Sequence, residues 1–172
     1  MTTRVFTRRL VSFGSTALII TTLTATLAAA PSPPKRLALA GTWEADLSHS
    51  TFKGRAPYRS GKMSFTSENG GKVHVINDVV TANGAAFHIE YVGPEDGTQV
   101  PVRGNPYYNK AAMVWKDKNT LVRTEFRGDA QTGKTTFVIA PDGKSFTASA
   151  DRSAPEDGHQ YLSVIVWKKI AD

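Results

Sequence analysis

The stretch KVHVINDVVTANGAAFHIEYV, residues 72–92, decides the fold. Two runs rich in β-branched and aromatic residues, 72–80 and 86–92, flank Ala82-Asn83-Gly84-Ala85. Apolar alternation at period two marks a strand with one buried face, and Asn-Gly supplies the positive φ of a tight hairpin turn. The stretch therefore predicts an antiparallel hairpin. With Asn83 and Gly84 as a two-residue turn, Val80 lies opposite Phe87, Asp78 opposite Ile89 and Ile76 opposite Tyr91. This register puts Asp78 and His74 on the face of Phe87, Ile89 and Tyr91, and His88 with Glu90 on the other.

The same grammar runs through the rest of the chain. Further strands are predicted over 42–47, 62–67, 98–103, 111–116, 120–127, 135–140, 145–150 and 160–168. Between them stand ENGG, GPEDG, GNPYYN, KDKN, GDAQTG, APDG and SAPEDG, all turn formers. No window sustains a 3.6-residue apolar period, so little helix is expected. Strands at spacings near ten residues make an antiparallel sandwich or barrel. Every break after Gly70 is short, as a meander requires, and a long meander leaves two exposed edges unless it closes. The expected architecture is all-β, a single up-and-down barrel of about 8–10 strands. Its last strand, HQYLSVIVWKK, is apolar on both faces, which predicts pairing with the first strand and a cover on its outer side, supplied by the first loop, residues 48–59.

The ends of the chain bound the compartment. Residues 1–30 carry Arg4, Arg8 and Arg9, then an uncharged run ending in small residues, the three regions of a secretory signal peptide. A retained membrane anchor and a twin-arginine signal are the competing readings. Cleavage falls within 26–30, with Ala38-Leu39-Ala40 a second candidate. Residues 31–40, PSPPKRLALA, form a proline-rich linker, and 41–172 the barrel domain. The expected location is periplasmic or extracellular. The formal charge of +6 falls to +3 once the leader's three arginines are removed. The remaining basic residues are scattered, which argues against nucleic-acid binding. The chain has no cysteine, so disulfides, thiol catalysis and thiolate metal sites are excluded. No coiled-coil pattern suggests assembly, and a monomer with no stable membrane span after cleavage is expected.

GTWEADLSHSTF (41–52), NDVVTANGAAFHIEY (77–91), VPVRGNPYYN (100–109) and APDGKSFTAS (140–149) together resemble exported bacterial lipocalin-like barrels of the calycin type. The resemblance covers 41–168 and implies a lipocalin or fatty-acid-binding-protein-like barrel. It gives Trp43 the role of closing one barrel end, beneath a basic side chain from a late strand, for which Arg123, Arg127 and Lys168 are candidates. One departure stands out. Fatty-acid-binding proteins hold a carboxylate with Arg-x-Tyr in the final strand, whereas VIVWKK places Ile165 at the arginine if Trp167 replaces the tyrosine.

Chemistry-bearing residues are few. His49, His74, His88 and His159 show no His-x-His or His-x-x-x-His spacing, so neither a metal nor a cofactor is called. No Gly-x-Ser-x-Gly elbow and no phosphate loop is present. An inward Asp78, or His88 beside Glu90 on one face, offers general acid–base chemistry, the less favoured enzymatic reading. The candidate ligand wall is Phe87, Ile89 and Tyr91, with Trp115, Arg123 and Tyr161. In a barrel such residues either fill the core or line a cavity. The leading expectation is non-catalytic binding of a small, largely apolar molecule, oriented by tyrosine hydroxyls or Arg123. The runner-up is an envelope interaction module with a filled barrel, working through YLSVIVW or the NPYYN loop.

Overall fold

The computed structural model describes residues 38–153 and 159–172; the predicted signal peptide, residues 31–37 and most of the SAPEDG break lie outside them. All ten predicted strands are present, and no helix occurs among the described residues. They are β1 (Gly41–Lys53), β2 (Tyr58–Glu68), β3 (Lys72–Thr81), β4 (Ala86–Pro94), β5 (Val100–Pro101), β6 (Lys110–Trp115), β7 (Thr120–Arg127), β8 (Ala130–Ile139), β9 (Ser145–Ser153) and β10 (Gln160–Ala171). One antiparallel sheet runs in the order β4-β3-β2-β1-β10-β9-β8-β7-β6-β5, so the first and last strands pair as expected.

The two sheet ends meet. Glu90 on β4 and Arg103, just past β5, exchange backbone hydrogen bonds of 3.1 and 2.9 Å. Gly104 (φ +73°) makes this approach possible, because a Cβ there would lie 1.7 Å from the carbonyl oxygen of His88. The result is a nearly closed meander barrel, which satisfies the edge groups that an open sheet would expose.

The β3–β4 hairpin departs from the predicted register. The amide of Thr81 donates to Ala85 O, and that of Gly84 to Thr81 O, each at 2.9 Å. Gly84 has φ +88°, so the loop is residues 82–84, a turn completed by a left-handed glycine. One extra loop residue shifts the pairing to Asp78↔His88, Asn77↔Ile89 and Val75↔Tyr91. Because side chains alternate, every residue of β3 changes face. Val73, Val75, Asn77 and Val79 are buried, while Asp78 stands outside, beside His88. The faces assigned to β4 are unchanged.

β1 also differs, extending through what reads as a loop. Asp46 pairs with Val166 and Thr51 with Val164, leaving residues 47–50 opposite Ile165 alone. Ser50 bridges the gap: its Oγ accepts from the Val166 amide at 3.1 Å and donates to Asp46 O at 2.7 Å. Nothing from this segment covers the outer face of β10, where Leu162 and Val164 remain 38% and 41% exposed.

One end of the interior is packed with aromatic rings. Trp43 meets Phe146 edge-on at 4.8 Å, and Phe146 stacks on Trp167 at 5.9 Å, with Phe65 and Phe137 against them. Burying each such ring contributes roughly 1.5–3 kcal/mol. The Trp43 indole N–H donates to Leu39 O at 2.9 Å, and Leu39 is itself fully buried, so packing begins before β1. The basic side chain over Trp43 is Lys169, with Nζ 5.4 Å from the ring. None of Arg123, Arg127 and Lys168 takes this place. Arg123 lies deep inside, Arg127 donates to Pro106 O, and Lys168 pairs with Asp46 at 2.6 Å. The reason is length: β10 continues beyond Lys168, and Lys169 is the residue that returns over the indole.

Candidate functional site

The opposite half of the interior is polar. Arg123 and Glu125 follow Leu121 at period two on β7, so all three point inward. Arg152 enters from β9 and Thr135 from β8. Glu125 Oε1 accepts from Arg123 Nε at 3.0 Å and Nη2 at 2.8 Å, from Thr135 Oγ1 at 2.7 Å and from Arg152 Nη2 at 2.9 Å. Arg152 Nε donates to the other carboxylate oxygen. Arg123 Nη1 reaches the Tyr91 hydroxyl at 3.1 Å, and that hydroxyl contacts Met113 Sδ at 3.7 Å.

Burial would raise the pKa of Glu125, but Arg152 and Arg123 outweigh it and hold the carboxyl down at about 2. Burial would lower both arginines; their acidic and phenolic neighbours reverse this and keep them charged. Tyr108 roofs the cluster, its ring centre 5.4 Å from the Arg123 guanidinium and 5.8 Å from that of Arg152. Burial pushes its hydroxyl well above the usual phenol range. The cluster thus holds two cations and one anion.

Two small cavities border this cluster. One, of about 30 Å³, lies between the arginines and the barrel mouth, against Val79, Phe87, Ile89, Tyr107 and Tyr108. The other, of about 20 Å³, lies on the inner side against Met63, Thr135, Phe137, Ser163, Ile165 and Trp167. Tyr58, Asn77, Arg123 and Arg152 line both. Beside them lies a core of buried apolar and aromatic side chains, so core and cavity coexist among the described residues. The mouth is ringed by aromatic groups: Arg55 sits over Tyr58 at 4.8 Å, and Tyr107 packs on Tyr161 at 5.5 Å. The GNPYYN loop is pinned by Asn105, whose Oδ1 accepts from the amides of Tyr107 and Tyr108 at 2.8 and 3.2 Å.

Of the predicted wall, Phe87, Ile89 and Arg123 come together at the outer cavity, and Tyr91 touches Arg123 from beside it. Trp115 and Tyr161 line neither cavity: Trp115 packs on the core, and Tyr161 stands on the rim between Tyr107 and His159. Glu125, Arg152, Thr135, Asn77, Ser163 and Trp167 are site residues that sequence reasoning missed. The readable signal for one of them was Arg123-x-Glu125, opposite charges on one strand face.

The acid–base candidates lie on the outer surface. Asp78 is not in the interior; its Oδ1 meets His88 Nδ1 at 2.6 Å with both side chains more than half exposed. Glu90 pairs with His74 at 2.8 Å rather than with His88. Among the described residues no group of three His, Asp or Glu is placed to hold a metal ion.

The fold of the described residues is an all-β, nearly closed antiparallel barrel of ten strands. No family model and no curated protein matches it. Among solved structures it is similar to a redesigned β-barrel, mFAP1, bound to DFHBI, with 13% identity and a TM-score of 0.47 over 77% of this chain and 95% of that one. It is also similar to EF1p2_mFAP2b bound to DFHBI, at 12% identity and 0.48 over 77% and 94%. A zebrafish ileal bile acid-binding protein complexed with cholic acid matches at 12% identity and 0.47, over 78% of this chain and all of that one.

Proposed function

We propose that this chain is an exported, non-catalytic barrel that binds a small molecule in its interior. The observation that carries the reading is the polar centre: a buried cluster of two arginines and one glutamate, flanked by two cavities. Well-packed apolar residues stabilise a barrel interior as well as buried ion pairs do, so stability alone is a weak reason for such a cluster. The guest's apolar side lies against Val79, Phe87 and Ile89, and its polar end faces Arg123 and Arg152. Export is supported by the charge and hydropathy pattern of residues 1–30.

A crystal structure of the chain purified from its own host tests this reading. Density beside Arg152 with a shape other than ordered water supports it. Water alone in both cavities, with no uptake of any added small molecule, overturns it.

A second reading, an interaction module, is favoured by the outer surface, where Val138, Leu162 and Val164 are more than one-third exposed. It predicts that Val164→Lys abolishes association with a partner while leaving the interior unchanged.

A further inference from the structure

Among the described residues, three polar atoms inside the barrel have no hydrogen-bond partner: Asn77 Oδ1, Ser163 Oγ and Trp167 Nε1. Their residues are 7%, 3% and 1% exposed, and all three border the inner cavity of about 20 Å³. They come from β3 and β10, brought together because the strand order sets β3, β2, β1 and β10 side by side. A buried polar atom left unpaired costs about 1–3 kcal/mol, so three around one void mark a place that something else completes. Trp167 is a donor only, Ser163 donates or accepts, and the Asn77 oxygen accepts.

The charge count gives an independent indication. Arg123 and Arg152 share the single carboxylate of Glu125, which leaves one positive charge uncompensated in the interior, and both guanidiniums border the same cavity. An unbalanced buried cation is stabilised by an anion that displaces no existing bond. Size follows from the two cavities. They share Tyr58, Asn77, Arg123 and Arg152 as walls, and at about 30 and 20 Å³ neither has room for more than a few heavy atoms. A long acyl chain does not fit.

Resting on the reading of the barrel as a small-molecule binder, we infer that its guest is a compact oxyanion of a few heavy atoms. Its oxygens accept from Trp167 Nε1, Ser163 Oγ and the arginines. A hydroxyl on the guest satisfies Asn77 Oδ1, which ranks hydroxy-carboxylates above plain carboxylates. The shared chemistry is a small oxygen-centred anion, either organic or inorganic.

The test is the indole N–H resonance of Trp167 in ¹⁵N-labelled full chain, titrated separately with glycolate, acetate, phosphate and neutral acetamide. Saturable movement of that resonance by glycolate, less tightly by acetate and not by acetamide, is expected. The Trp43 indole, already bonded to Leu39, stays fixed as the internal control. Saturation by phosphate in place of the carboxylates assigns the inorganic source. Ser163→Ala, a near-isosteric change that leaves the arginine cluster intact, weakens the response about tenfold. An equal response to acetamide, or none to any oxyanion, overturns the inference. If a neutral apolar molecule is then found bound to the native chain, the binding reading stands and only the anion class fails. If nothing binds, both fail.

Discussion

Arg152 on β9 grips Glu125 on β7 across an intervening strand, with Nη2 2.9 Å from Oε1 and Nε on the second oxygen. The residue between them in register is Gly133, paired with Glu125 on one side and Arg152 on the other. A Cβ there would stand 2.7 Å from Arg152 Cγ, 2.9 Å from the Asp151 carbonyl oxygen and 3.1 Å from the Glu125 carboxylate. The glycine is therefore the gap through which the ion pair forms.

Gly133→Ala is predicted to destabilise the chain by about 1–3 kcal/mol, since overpacking forces neighbouring atoms off their positions. Urea unfolding measures it. The cost shrinks in an Arg152→Ala background, because the displaced side chain is already gone, and the part set by the Asp151 carbonyl remains. An unchanged cost in that background removes the gap explanation.

Acid should weaken the barrel through Glu125. Its folded pKa of about 2 lies below the ordinary 4.5, so its contribution is fully present above 4.5 and is lost as pH falls from there through 2. The total is roughly 3 kcal/mol for a shift of this size. Glu125→Gln lowers stability at neutral pH, leaving buried cations unpaired, and the difference from the native chain closes as pH falls towards 2. The informative quantity is the slope of unfolding free energy between pH 5 and pH 2, which is flatter in the variant. Equal slopes would place the acid sensitivity elsewhere.

The outer surface reports the hairpin register. The hydrogen bond from His88 to Asp78, reinforced by the carboxylate charges of Asp78 and then Glu90, raises the histidine pKa above 6.5. A raised pKa gives stability present below the unfolded value and lost as pH rises through the folded one. Asp78→Asn should lower the His88 pKa in an NMR titration. With a two-residue turn at Asn83-Gly84 the two side chains would lie on opposite faces, and the substitution would leave His88 unmoved.

Leu39 tests where the domain begins. Its side chain is fully buried and its carbonyl receives the Trp43 indole N–H. Leu39→Ala should cost about 2–5 kcal/mol by cavity formation. A chain starting at Gly41 should lose that and the indole bond together, seen as a lower melting temperature and an upfield Trp43 indole proton. Removal of the chain through Ala40 would take Leu39 with it and so remove this plug.

The strands, their order and the β1–β10 pairing were legible because turn residues and period-two alternation are local signals. The β3 face was not. ANGA fits either a two-residue or a three-residue loop, and one residue decides which side Asp78 and Asn77 occupy. The partner of Trp43 was missed for a related reason: Lys168 and Lys169 are adjacent, and the true end of β10 chooses between them. Phe87, Ile89 and Arg123 could be placed at the cavity from their own strands. Arg152, Ser163 and Asn77 could not, since their meeting point depends on the register of β1, β2, β3 and β8–β10 together. A buried polar site assembled from distant strands leaves no motif in the chain.

The most direct measurement is the native mass of the chain purified from its own host without denaturation. The account predicts a reproducible excess mass, lost on unfolding, equal to a compact molecule of a few heavy atoms. A mass equal to the polypeptide alone, with no uptake of any small molecule added afterwards, would contradict it.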